Sequence, residues 1–108
     1  MPEIDVHQMM KSIPEYFQPE KAGDFSGIVQ CIFSGSQASN WVIKIAERTC
    51  IVEEGLVTSP NLTVKADAQD GVNVLMGKMD PMRAFMLGKV KVQGDLSLGM
   101  KLSSFFKV

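Results

Sequence analysis

Apolar residues along this chain alternate between helical and strand spacing. Val6, Met9, Met10 and Ile13 recur at i, i+3, i+4 and i+7, which predicts a short amphipathic helix over residues 5–12. Pro14 cannot continue it without a kink. Ser12 and Glu15 have capping-box spacing, so a second short turn is expected over 13–17. Residues 19–24 read as a polar connector. The period then drops to two. Strands are expected at 28–33, 41–46, 49–53 and 62–66, separated by a Gly/Ser/Asn-rich turn at 35–40, a tight reversal at Glu47-Arg48 and the Ser59-Pro60-Asn61 break. Val29, Cys31 and Phe33 share one face, as do Trp41, Ile43 and Ile45, and Leu62, Val64 and Ala66. Polar residues between them predict one covered face and one wet face.

Residues 77–95 hold the densest punctuation. Asp67 caps a helix carrying Val72, Leu75, Met76 and Met79, and Gly77 lies at its end. Asp80 caps the next helix, with Pro81 at the favoured first position and Gly88 as its stop. Lys89–Gln93 alternates as a half-buried strand, and Asp95 caps a last helix with Leu98, Leu102, Phe105 and Phe106 on one face and Met100 pointing elsewhere. Grouped strands followed by helices and a returning strand predict an α+β fold, with helices on one face of a five-stranded sheet. The path between the third and fourth strands is long enough for a crossover, so the sheet is expected to be mixed.

Groups able to do chemistry are scarce. His7 sits on the polar side of the first helix without a second His, a Cys-x-x-Cys or clustered carboxylates, so no metal site or cofactor is expected. Glu53 and Glu54 alternate across a strand end and form no dyad. Ser34-Gly35-Ser36 reads as a turn, and no Gly-x-Ser-x-Gly elbow or Walker loop is present. The residues therefore predict a protein that is not an enzyme. Cys31 and Cys50 fall two strands apart, roughly 9–10 Å at the usual strand spacing, beyond disulfide reach, and both are expected to be reduced.

Size and charge narrow the classes further. A length of 108 residues fits one domain, 1–108. A net charge of −1 gives no general attraction to nucleic acid. No apolar run is long enough to span a membrane. The acidic start at Met1 to Asp5 lacks a signal-peptide core, and the C-terminus lacks the peroxisomal Ser-Lys-Leu, so a cytoplasmic location is expected. Eight methionines, with Met76, Met79, Met82 and Met86 clustered, read either as a core filled with flexible side chains or as a surface that repacks around apolar guests. Lys78, Arg83, Lys89, Lys91 and Lys101 read either as a solubilising surface or as a rim for anionic head groups or the phosphates of an acyl-coenzyme A.

The run Gly77-Lys78, Asp80-Pro81, Ala84-Phe85, Gly88-Lys89-Val90-Lys91-Val92, Gly94-Asp95 and Met100-Lys101-Leu102 closely resembles the signature of the sterol carrier protein type 2 domain family. Gly27-Ile28-Val29 and Trp41-Val42-Ile43 are weaker matches. The likeness covers residues 25–106 and leaves 1–24 as an N-terminal helical segment and connector. The resemblance implies a non-catalytic fold with an apolar tunnel between sheet and helices, binding fatty acids, acyl-coenzyme A, phospholipids, sterols or isoprenoid-like lipids. Gly71 and Val72 depart from the family's polar and aromatic residues. With no peroxisomal address and no fused enzyme, the chain is similar to stand-alone microbial members, and the expected guest shifts from sterol to an acyl chain or quinone-like lipid.

Each buried methylene contributes about 0.8 kcal/mol, so about twelve give roughly 10 kcal/mol, against the about 8 kcal/mol of micromolar binding. The expected lipid-binding wall is Phe33, Trp41 and Ile43 on the sheet, with Leu75, Met76, Phe85, Met86, Met100 and Phe105 on helices. The competing readings are a dimerisation or docking module, and an accessory factor presenting a lipid such as a quinone intermediate to a biosynthetic enzyme. Expected partners are thus a lipid, a transient membrane or enzyme contact, and at most a weak homodimer.

Overall fold

A computed structural model describes residues 5–106, and the readings above on residues 1–4 and 107–108 lie outside them. Helix α1 (Val6–Ser12) runs into a 3-10 turn (Ile13–Tyr16) and a short helix α2 (Pro19–Ala22). Strands β1 (Gly27–Ser34), β2 (Ser39–Ala46), β3 (Thr49–Glu54) and β4 (Leu62–Asp67) follow. Helices α3 (Ala68–Leu75) and α4 (Pro81–Met86), strand β5 (Val90–Gly94) and helix α5 (Leu96–Ser104) complete the order. The expected connector at 19–24 is helical instead. Pro19 supplies the first-turn geometry, Ala22 is buried, and Gly23 at φ 55° stops the turn.

Carboxylates start the helices, as the sequence predicts. Asp67 accepts from the backbone N–H groups of Gln69 and Asp70, and Asp80 from that of Arg83. Asp95 accepts from the Ser97 hydroxyl at 2.6 Å and from the backbone of Leu98, which hold its carboxyl below the usual range.

The sheet is mixed, in the order β3-β2-β1-β4-β5. β1 and β4 are parallel and the other pairs antiparallel. One face packs against helices: Val29, Cys31, Phe33, Trp41, Ile43, Ile45 and Leu62 meet Val6, Met10 and Ile13 from the N-terminal segment, Val72 and Leu75 from α3, and Leu98 and Leu102 from α5. On the other face lie the exposed Lys44, Lys65 and Lys91. Cys31 pairs with Trp41 and Cys50 with Ile45, so the two thiols are two strands apart and out of register, and both are unpaired.

Residues 55–61 carry the chain from β3 past β2 and β1 to β4. This crossover lies on the wet face and is fastened there by Gln30, a buried polar residue of β1. The Gln30 side chain donates to the carbonyls of Trp41 and Gly55, both at 2.9 Å, and accepts from the Val57 N–H at 2.7 Å. Asn61 closes the path by donating its backbone N–H to the Ile28 carbonyl and accepting from the Ile28 N–H with its side chain.

Candidate functional site

The packed side chains fall into two groups joined through Val64. The larger fills the space under α1, α3 and α5. The smaller, Ala66, Ala84 and Val90, lies where α4 touches the β4–β5 edge. Val64 touches both groups, while Gly71 and Gly99 leave the space beside it without side chains. A cavity of about 140 Å³ remains there.

Its floor is the helix-side face of three strands: Cys31 and Phe33 of β1, Leu62 and Val64 of β4, and Val90 and Val92 of β5. The roof comes from Gly71, Val74 and Leu75 of α3, Pro81, Met82 and Phe85 of α4, and Leu96, Gly99, Met100 and Leu102 of α5. Among the described residues every lining side chain is apolar, and none is charged. Met82, Phe85, Leu96 and Met100 are all at least two-fifths exposed, which makes them the mouth. Gly71 lets α3 lie directly on the floor, because a Cβ there would collide with the Phe33 ring.

Four of the nine expected wall residues come together on this cavity: Phe33, Leu75, Phe85 and Met100. Five lie elsewhere. Trp41 and Ile43 are buried on β2, under α1 and away from the β4–β5 side. Trp41 donates its indole N–H to the Ser39 hydroxyl at 2.8 Å, and the His7 ring meets it edge-on at 5.1 Å. Met76 is buried in the larger core group. Phe105 packs against Phe25 at 5.1 Å between ring centroids and against Phe17 at 6.4 Å. Met86 is 77% exposed on the outer side of α4. Sequence reasoning missed Leu62, Val64, Val90 and Val92, although their alternation marks them as inward-facing. Only the strand order reveals that they form the floor.

Cys31 adds a thiol to this apolar surface, with no activating partner among the described residues. Burial pushes its pKa up to about 12 and that of the half-buried Cys50 to about 11, from an ordinary 9.0. Both stay protonated in the fold after the unfolded chain has begun to ionise. Stability is therefore at its full value below about pH 9 and falls as pH rises toward 11–12. The slope is about 1.4 kcal/mol per pH unit for each thiol at most. Urea midpoints measured on both sides of pH 9 should show this fall, and Cys31→Ala should flatten it. An unchanged slope in that variant would mean other groups cause the alkaline loss.

Among the described residues, no three His, Cys, Asp or Glu side chains are grouped to hold a metal, and no helix is long and apolar enough to cross a membrane.

In fold the chain is similar to palmitated SCP2L2 of Aedes aegypti, with a TM-score of 0.67 and 23% identity over 92% of this chain and 88% of that one. The UbiJ-SCP2 ubiquinone synthesis protein matches with a TM-score of 0.73 at 13% identity, over 93% of this chain and 90% of that one. In sequence, hydroxysteroid dehydrogenase-like protein 2 of Xenopus laevis is 31% identical over 98 residues. That match takes in 90% of this chain and 24% of the relative, so the chain spans about a quarter of the relative's length. Residues 8–107 match the SCP-2 sterol transfer family, and the chain belongs to that family.

Proposed function

We propose that this protein is a non-catalytic carrier that holds the apolar part of a fatty acyl or similar single-chain lipid in the cavity between β1, β4, β5 and helices α3, α4 and α5. The observation that carries this reading is the wall of apolar side chains, uncharged among the described residues and opening through a mouth of exposed methionine, leucine and phenylalanine. Leaving an apolar void of this size unfilled costs about 3 kcal/mol at roughly 24 cal/mol per Å³. Voids of similar size stay dry and accept small hydrocarbons. Phe33, Leu62, Val64, Leu75, Phe85 and Met100 are the proposed contacts.

A drug-sized ligand needs a pocket of about 300–1,000 Å³. The cavity as it stands takes only the end of a long chain. Longer guests require α4 to lift. That helix is suited to it, because it is six residues long and buries only Ala84. The palmitated Aedes neighbour supports an acyl guest. The likeness to a ubiquinone synthesis protein favours a second reading, presentation of a quinone-like intermediate to an enzyme.

Solvent extraction of the purified protein followed by mass spectrometry tests both. A co-purifying acyl lipid is the expected result, and the stripped protein should take up palmitate with micromolar affinity. A prenylated ring compound in the extract would favour the second reading. Protein that carries no lipid and ignores palmitate would overturn the carrier proposal.

A further inference from the structure

The mouth of the cavity continues onto a larger exposed surface. Met82 and Phe85 of α4 and Leu96 and Met100 of α5 ring the opening, and Met86, one turn beyond Met82, extends the ridge over the outer side of α4. Leu87 is also more than half exposed. Large apolar side chains collected at one opening are unusual on a soluble surface and mark a contact site.

Charge indicates what makes that contact. The whole chain is weakly acidic, at −1. Residues 76–102 nevertheless hold five cations and two carboxylates, a net +3, and both carboxylates are the helix caps Asp80 and Asp95. The remaining residues hold six cations and ten carboxylates, a net −4. Lys78 and Lys89 flank α4 before and after it, and Arg83 lies on it, all three exposed. Among the described residues no carboxylate is within ion-pair distance of these three. Lys91 lies on the opposite face of the sheet and is not part of the collar.

We propose that this face docks on an anionic lipid bilayer, with Met82, Phe85, Met86 and Leu96 entering the head-group boundary while Lys78, Arg83 and Lys89 meet lipid phosphates. The inference rests on the carrier reading and deepens it, since a mouth seated on the bilayer receives its guest without exposing it to water. Among the described residues the patch centre offers methionine and phenylalanine and no hydrogen-bonding side chain, which suits a fluid apolar phase better than a structured protein surface. The acidic remainder of the molecule is repelled by the same bilayer, so the charge pattern also sets the orientation.

Vesicle flotation with phosphatidylcholine alone, and with phosphatidylglycerol added, tests the proposal. The protein should float with the anionic vesicles, weakly with the neutral ones, and less at high salt. Met86→Glu should lower the partition about tenfold. Arg83→Gln and Lys89→Gln should each lower it about fivefold. Neither Met86, Arg83 nor Lys89 lines the cavity, so palmitate uptake from solution should stay unchanged in all three variants. Unaltered flotation of Met86→Glu would overturn the docking. So would native protein that takes up palmitate yet ignores both vesicles, and the carrier reading would then stand alone. If in that case Met86→Glu changed sedimentation, the patch would belong to a second copy of this chain. Flotation that follows the variants as expected, in a protein that never takes up palmitate, would uphold the docking and overturn the carrier.

Discussion

Gly99→Leu is expected to lower palmitate affinity about a hundredfold while leaving the protein as stable as before or more so. Gly99 lies in the interior of α5 and faces the cavity. A Cβ there would come 3.2 Å from a methyl group of Leu62, a contact that a small shift of a flexible side chain relieves. The added isobutyl group then enters the void. It takes the place of about four guest carbons, which at roughly 0.8 kcal/mol each removes about 3 kcal/mol of binding. Replacing a mid-helix glycine adds about 1 kcal/mol of helix propensity. Palmitate titration and a urea melt on the same sample separate the two effects. Gly71 does not serve this purpose, because its Cβ would strike the Phe33 ring and disturb the floor itself. Retained affinity in Gly99→Leu would place the guest outside this cavity.

Local chemistry made most of the elements readable. Aspartates at 67, 80 and 95 announce helix starts because a short carboxylate satisfies the first backbone N–H groups. Gly77 and Gly88 announce stops, and both adopt positive φ, at 77° and 75°. Alternation gave each strand its inward face, including Leu62 and Val64. Assembly was harder to read. Alternation says which side of a strand is buried, not which strands are neighbours. Trp41 and Ile43 share the inward face with Phe33, yet β2 lies toward β3 and the cavity lies toward β5. Helix phase explains Met86. Adjacent helical residues point about 100° apart, so Phe85 and Met86 cannot both face inward, and Phe85 takes the inward place. Phe105 looked equally eligible, but the N-terminal segment brings Phe17 and Phe25 against it.

Gln30 was the least legible residue of all, and its replacement should give the opposite signature to Gly99→Leu. Within β1 it occupies a position where the pattern predicts a wet side chain. The crossover from β3 to β4 buries it instead, because a path over β2 and β1 must lie on the face that the helices leave open. Gln30→Leu keeps the volume and removes the contacts to Trp41, Gly55 and Val57. The Trp41 carbonyl is the most deeply buried of those partners, while the loop groups can regain water. Unpaired buried groups cost about 1–3 kcal/mol each, so a loss of about 3 kcal/mol is expected, read as a lower urea midpoint. The crossover and the cavity lie on opposite faces of the sheet. Palmitate affinity measured well below the new midpoint should therefore be unchanged. A matching fall in affinity would mean that the crossover helps set the spacing of β1 and β4, and with it the width of the cavity floor.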